Sequence, residues 1–155
     1  MNGLKILDEK EKNEIISKLN GQFGIEKIDG LIIKRGAERL FLFRGGLMRE
    51  EIKKLENSVP IERVGVYFAK IVPGENKIRL SIEGTQLLKD QIKRNIFELN
   101  DEQVEEWMKG HELNIKTGQN GFLIIKYGEN FLGCGKASAE KLSNFIPKSR
   151  RLKEH

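Results

Sequence analysis

The residues best suited to chemistry lie near the C-terminus, where a glycine-containing strand precedes a basic segment. In the motif Phe131-Leu-Gly-Cys-Gly-Lys136, Gly133 and Gly135 leave alternate positions without a side chain, so another backbone can approach closely. Behind a rigid Pro147, four cations follow within six residues: Lys148, Arg150, Arg151 and Lys153. Phosphate oxygens favour such clusters, and the pattern predicts a phosphate-binding surface. The alternative is a bulged strand followed by an exposed basic tail.

Enzymatic chemistry would have to use Cys134, the single cysteine of the chain. His111 and His155 are distant from it in sequence, and a lone cysteine in an apolar strand is usually a small core residue. One cysteine and two separated histidines give no metal-ligand spacing. The motif also lacks the earlier glycine and the Ser or Thr of a phosphate loop. We therefore expect no catalytic residue, no metal and no cofactor.

The composition is that of a globular protein whose positive charge is local. The 155 residues are 38% hydrophobic and 33% charged, with a formal net charge of +5, and suffice for one domain or two small ones. Residues 100–112 are mainly acidic, whereas residues 141–155 are mainly basic. The sequence has no run of signal-peptide or membrane-helix length, and one cysteine excludes an internal disulfide. We expect a cytoplasmic protein with no membrane partner.

Residues 1–94 have the pattern of an α+β domain. Asp8 is expected to cap a helix that stops at Asn20-Gly21. Residues 31–33 and 40–43 are β-rich runs separated by a short loop, which predicts a hairpin covered on both faces. A second helix is expected over residues 48–55.

The same domain continues with a longer hairpin and a helix. A strand over residues 63–72 turns back at Pro73-Gly-Glu-Asn76 into residues 77–82. In the return strand, apolar and polar residues alternate, which places Lys77 and Arg79 on one face and Ile78, Leu80 and Ile82 on the other. A helix over residues 84–93 completes the domain.

Residues 95–155 predict a small, mainly-β pseudo-barrel. Asn100 is expected to cap an acidic helix, with Gln103 completing a capping box, and Gly110 ends that helix. Glycines and asparagines separate the strands that follow. Those strands are expected at residues 112–115, 122–127, 131–137 and 143–146. Several short strands and one helix are typical of a partly closed barrel.

Three motifs of this second domain carry a family resemblance: Gly110-His-Glu-Leu113, Gly121-Phe-Leu-Ile-Ile-Lys126 and Leu132-Gly-Cys-Gly-Lys136. They resemble the PUA domain, the RNA-binding module named after pseudouridine synthases and archaeosine transglycosylases. With Leu142-Ser-Asn-Phe-Ile-Pro-Lys-Ser-Arg150, the last motif is most similar to the PUA domain of Nop/Sun-family RNA cytosine-C5 methyltransferases. Upstream, residues 65–70 and 77–82 resemble the pre-PUA domain of Nip-type ribosome-biogenesis factors.

The resemblance implies a non-catalytic RNA-binding protein that acts on rRNA or tRNA. The implied roles are ribosome biogenesis, rRNA processing, or guidance of an RNA-modification enzyme. We expect no methyltransferase domain and carry over no activity. Structured RNA is the expected partner, and ribosome-assembly factors or an RNA methyltransferase are further partners. Two alternatives stay open: a protein–protein adaptor whose basic tail aids solubility, and a residual RNA-modifying activity around Cys134.

The expected RNA-binding residues fall into four groups. Cations neutralise phosphates, while Ser149 and backbone amides beside the two strand glycines fix the register of the RNA. His111 stacks on a base or is a structural residue at the start of a strand. Lys77 and Arg79 contact RNA or form a solvated face. The full set is Lys136, Lys148, Ser149, Arg150, Arg151, Gly110, His111, Gly133, Gly135, Lys77 and Arg79.

Overall fold

The computed structural model describes residues 3–44 and 65–153 of the chain. The helix expected over residues 48–55 and the first residues of the strand expected from residue 63 lie outside the described residues. The chain forms two compact units, Met1–Arg79 and Leu80–His155. The predicted fold class is confirmed, because an α+β unit is followed by a β-rich one.

The first unit contains a long helix. This helix, α1 (Glu9–Phe23), begins at Asp8 with a capping box, as predicted. The predicted end at Asn20-Gly21 was wrong. The helix continues because Phe23 extends its buried apolar stripe, and it ends at Gly24, whose φ of 90° is the left-handed conformation that glycine adopts without strain.

The sheet of the first unit has five strands in the order β1-β2-β3-β4-β5. The strands are β1 (Leu4–Ile6), β2 (Leu31–Arg35), β3 (Arg39–Phe43), β4 (Val66–Val72) and β5 (Lys77–Leu80). The first four pair in antiparallel fashion, and the predicted hairpin between β2 and β3 is confirmed. β1 was not predicted, because three residues are too few to establish a periodicity.

The last strand of this sheet, β5, shows the predicted alternation. Ile78 and Leu80 are buried, whereas Lys77 is exposed and Arg79 is half-buried. The buried Gln22 of α1 holds this strand in place. Its amide nitrogen donates to the carbonyl oxygen of Ile78 at 2.9 Å, and its amide oxygen accepts from the Ile78 N–H at 2.8 Å.

The second unit contains a four-stranded sheet in the order β6-β7-β8-β9. The strands are β6 (Ile96–Glu98), β7 (Gly121–Tyr127), β8 (Asn130–Ala137) and β9 (Leu142–Asn144). β6 runs parallel to β7, and the other pairs are antiparallel. The strand predicted over residues 112–115 was wrong, since Leu113 forms only an isolated bridge to Leu142. Over residues 65–153 the sheet is open and forms no closed barrel.

A short helix, α2 (Ile82–Leu87), precedes this sheet and packs on β8. The strand predicted over residues 77–82 was wrong at its end, because Ile82 starts this helix, and the helix predicted over residues 84–93 begins two residues earlier and ends at Leu87. Ser81 has an extended backbone and its hydroxyl accepts a hydrogen bond from the Gly84 N–H at 3.0 Å, so the helix starts directly after β5. A single 3-10 turn at Lys89–Gln91 follows. A domain boundary between residues 94 and 95 stays a prediction.

Candidate nucleic-acid interface

The acidic helix positions one side of the interface. This helix, α3 (Asp101–Met108), begins at Asn100, whose side chain accepts a hydrogen bond from the Gln103 N–H at 2.8 Å while the Gln103 side chain accepts one from the Asn100 N–H at 2.9 Å. The predicted capping box is therefore confirmed. Trp107 anchors the helix in the core of the second unit, where it is fully buried. The chain leaves the helix at Gly110, whose φ is 90°.

Two predicted site residues, Gly110 and Arg151, lie in direct contact. A Cβ atom on Gly110 would lie only 2.4 Å from Nε and 2.7 Å from Cζ of Arg151. The same guanidinium donates from Nε to the carbonyl oxygen of Ile146 at 2.8 Å. One residue further, the Leu152 N–H donates to the carbonyl oxygen of Met108 at 2.7 Å. The segment that follows the basic residues is therefore fixed to the end of α3.

Asn144 joins three parts of this surface and was not among the predicted site residues. Its amide nitrogen donates to the carbonyl oxygens of Trp107 at 2.8 Å and His111 at 3.0 Å. Its amide oxygen accepts from the Ile146 N–H at 2.7 Å. The only signal in the sequence was an asparagine shortly before Pro147, a common feature of turns that names no distant partner.

Replacing Asn144 by alanine is expected to lower the free energy of unfolding by about 1–3 kcal/mol, because the substitution removes three hydrogen bonds to a partly buried backbone. Urea unfolding followed by tryptophan fluorescence measures this loss, since Trp107 is the single tryptophan. Asn114→Ala, at an exposed position in the same unit, is the control and is expected to change stability by less than about 0.5 kcal/mol. Equal stabilities of the two variants would contradict the role given to Asn144.

His111 forms a hydrogen-bonded pair with Glu106 at the exposed end of α3. Its Nδ1 lies 2.6 Å from a carboxylate oxygen of Glu106, and both side chains remain about half exposed. Lys109 Nζ lies 3.8 Å from the other carboxylate oxygen. The hydrogen bond from His111 and, to a smaller extent, the charge of Lys109 hold the pKa of Glu106 below its usual value of 4.5. The pair orients the imidazole on the surface next to Gly110.

The lowered pKa of Glu106 gives a pH dependence with a definite sign. A carboxylate whose pKa is lower in the folded state stabilises the fold fully above pH 4.5, and the contribution is lost as the pH falls through the folded pKa. We therefore expect Glu106→Gln to lower the melting temperature at neutral pH and to match wild type well below pH 4.5. Glu105→Gln has the same charge change and is the control. A Glu106→Gln effect of equal size at both pH values would contradict this assignment.

The basic segment begins with a single 3-10 turn at Lys148–Arg150. Lys148, Ser149 and Arg150 are exposed, and the guanidinium of Arg150 forms an ion pair with Glu83 of α2. The first part of the segment is thus anchored to α2, and Arg151 anchors its end to Gly110. The structure therefore brings Gly110, His111 and the predicted basic residues of this segment together.

Lys136 lies on β8, opposite Ser143 of β9, and is half-buried. Its ammonium group lies 5.4 Å from the centre of the Phe122 ring, which is 6.1 Å from the ring of Phe145. Phe145 precedes the basic segment by three residues. Lys136 is therefore linked to this segment through two aromatic rings, and its predicted contact with RNA stays a prediction.

Gly133 and Gly135 permit close approach by the protein itself. Gly133 has a φ of 87°, and its N–H donates to the buried hydroxyl of Thr85 at 3.1 Å. A Cβ atom on Gly135 would lie 2.7 Å from the Trp107 ring. Both glycines are buried. The two glycines are therefore explained by close packing of β8 against α2 and Trp107, which leaves little room for a side chain at either position.

The remaining candidates are spread over both units. Cys134 is buried on β8, at 4% exposure. Within residues 3–44 and 65–153, no three His, Cys, Asp or Glu side chains are grouped so that they could hold a metal. Lys77 and Arg79 belong to β5 of the first unit. No helix in the described parts of the chain has the length and apolar character needed to cross a membrane.

Comparison with known families defines the class of the second unit. Residues 94–152 match the family described as the methyltransferase RsmF PUA domain. This match covers α3, the four strands of the second sheet and the basic segment as far as residue 152. The second unit therefore contains a PUA domain of the RsmF type, which confirms the PUA resemblance for this part of the chain.

Individual relatives extend the similarity into the first unit. Over 145 residues the chain is 28% identical to ribosomal RNA small subunit methyltransferase F of Shewanella oneidensis, covering 90% of this chain and 28% of that protein. The enzyme of the same name from Shewanella woodyi is 30% identical over 142 residues, with the same coverage. The one from Psychromonas ingrahamii is 26% identical over 131 residues, covering 82% of this chain and 26% of that protein. The chain spans about 28% of the length of the first of these relatives.

Proposed function

We propose that this chain is a non-catalytic RNA-binding protein that acts on rRNA or tRNA through its second unit. The RsmF-type PUA domain at residues 94–152 and the rRNA methyltransferases among the relatives support this assignment. The observation that carries the proposal is the fixation of the basic segment beside Gly110 and His111, where Arg151 and Asn144 hold it. Fixed cations lose less conformational entropy when they bind phosphates than mobile ones do.

The proposed contact set consists of exposed groups around the end of α3. Lys148, Arg150 and Arg151 neutralise phosphates, and Ser149 donates a hydrogen bond to the RNA backbone. The imidazole of His111, oriented by Glu106, stacks on an unpaired base. Lys136 adds a further phosphate contact, and Lys77 and Arg79 stay secondary candidates. Gly110 serves the site by making room for Arg151, whereas Gly133 and Gly135 serve the core.

The proposed role is in the cytoplasm, in ribosome biogenesis or as an RNA-guiding accessory of an RNA methyltransferase. The similarity to rRNA methyltransferases over both units supports the second of these roles. We further propose that residues 1–94 form a pre-PUA domain and residues 95–155 the PUA domain. The family match, which begins at residue 94, supports that boundary. Neither a metal nor a cofactor enters the proposed mechanism.

Filter binding of the wild-type chain to in vitro-transcribed small-subunit rRNA and to tRNA, at several salt concentrations, tests the proposal. We expect micromolar or tighter binding to one of them, with the logarithm of the binding constant falling linearly with the logarithm of the salt concentration. Absence of binding to both RNAs would contradict the proposal and would favour the protein–protein adaptor.

A further inference from the structure

Three cations lie directly opposite one another across three neighbouring strands of the first unit. Arg35 of β2 is paired with Arg39 of β3, and Arg39 is paired in turn with Lys70 of β4. Directly opposed residues of antiparallel strands project from the same face, with Cβ atoms about 5 Å apart. These three side chains are called the cation row.

The cation row is unfavourable for the fold by itself, because like charges directly opposite each other destabilise a sheet. Glu38 compensates at one end, where its carboxylate lies 3.2 Å from the Lys70 ammonium group. In the middle of the row, the guanidinium of Arg39 lies 5.9 Å from the centre of the Tyr67 ring. Such a cation–π contact orients the guanidinium plane while Arg39 remains exposed.

We infer that the cation row is a second RNA-binding surface, which binds the ribose-phosphate backbone. Neighbouring strands lie about 4.8 Å apart, so the three cations span about 10 Å. This span corresponds to about three steps between successive phosphates of one nucleic-acid strand, which follow at about 3.4 Å along a duplex axis. The inference rests on the proposed function only for the choice of RNA as the polyanion.

The other face of the same sheet provides a matched control. Lys5 of β1 is paired with Lys34 of β2, which is also a like-charged pair across two strands. Because Lys34 and Arg35 are adjacent in one strand, their side chains project to opposite faces. Lys5 forms an ion pair with Glu11 of α1. The double variants Arg35→Gln/Arg39→Gln and Lys5→Gln/Lys34→Gln each remove two positive charges. In both variants the two charges come from directly opposed residues of neighbouring strands.

The test is filter binding of both double variants to small-subunit rRNA over a range of salt concentrations, using the full chain. We expect Arg35→Gln/Arg39→Gln to reduce the slope of log binding constant against log salt by about 1.5 units, since each neutralised phosphate contributes roughly 0.7–0.9. The control is expected to keep the wild-type slope. If the first variant does not melt cooperatively, Arg39→Gln alone is used, with an expected reduction of about one unit.

The outcomes separate this inference from the proposed function. An unchanged slope in Arg35→Gln/Arg39→Gln, with a reduced slope in Lys148→Gln/Arg150→Gln, overturns the cation row and leaves the proposed function intact. The reverse pattern supports the cation row and contradicts the proposed site. Equal losses in the cation-row variant and its control overturn the inference, because net charge then explains both. Arg39-dependent binding to phosphatidylserine vesicles, with an unchanged rRNA slope, also overturns it.

Discussion

Neutralising Lys148 and Arg150 together is expected to weaken binding to small-subunit rRNA by roughly 30-fold, at about 1 kcal/mol for each lost charge-assisted contact. The slope of the binding constant against salt is expected to fall by about two units. Both side chains are exposed on the 3-10 turn, and the ion pair that Arg150 forms with Glu83 is a surface pair worth at most about 1 kcal/mol, so the double variant is expected to stay folded. Filter binding of Lys148→Gln/Arg150→Gln over a range of salt concentrations measures both quantities.

The control is Lys89→Gln/Lys93→Gln, which removes the same charge from exposed positions of the same unit. This variant is expected to bind within about threefold of wild type. Arg151 is left intact in both variants because its side chain packs on Gly110 and bonds to Ile146. Equal binding by the two double variants would contradict the assignment of the basic segment to RNA.

Replacing Gly135 by valine is expected to destabilise the second unit by about 3 kcal/mol. A Cβ atom at this position would lie 2.7 Å from the Trp107 ring, 3.0 Å from the backbone oxygen of Ser143 and 3.2 Å from the Ile125 side chain. Trp107 is fully buried and has no room to move away, and a backbone oxygen in a strand pair cannot yield without breaking the pairing. Urea unfolding followed by Trp107 fluorescence measures the loss.

Substitution of a glycine that has free space around it is expected to stabilise the protein instead. Gly21 lies within α1, and a Cβ atom there would contact nothing within 4 Å. Gly21→Ala is therefore expected to stabilise the first unit by up to about 1 kcal/mol, because alanine favours the helix. If Gly135→Val unfolds at the same urea concentration as wild type, the packing role of Gly135 is wrong.

The parts of the fold that depend on local patterns were predictable from the sequence. Capping residues contact amides only three positions away, so Asp8 and Asn100 were identified as helix starts without knowledge of the fold. Alternation identified β5 in the same way, since burial of Ile78 and Leu80 follows from a period of two. The PUA domain was identified because its glycine and lysine motifs are contiguous in the chain.

The parts that depend on distant partners were not predictable. Asn144 donates to Trp107 and His111, which precede it by more than thirty residues, and no local pattern signals such a bond. The cation row arises from the register of three strands, which the hydrophobic pattern alone does not fix to one residue. The predicted end of α1 was wrong for a related reason. An Asn-Gly pair resembles a stop, but tertiary burial of Phe23 outweighs that preference.

Ultraviolet cross-linking of the wild-type chain to small-subunit rRNA, followed by mass spectrometry of the linked peptides, tests the central claim most directly. The claim is that the end of α3 and the basic segment fixed beside it form a surface that binds RNA. We predict cross-links in the peptides that contain His111 and residues 148–151. Cross-links confined to the opposite end of α3, around Asp101, or to the 3-10 turn at Lys89–Gln91 would contradict it.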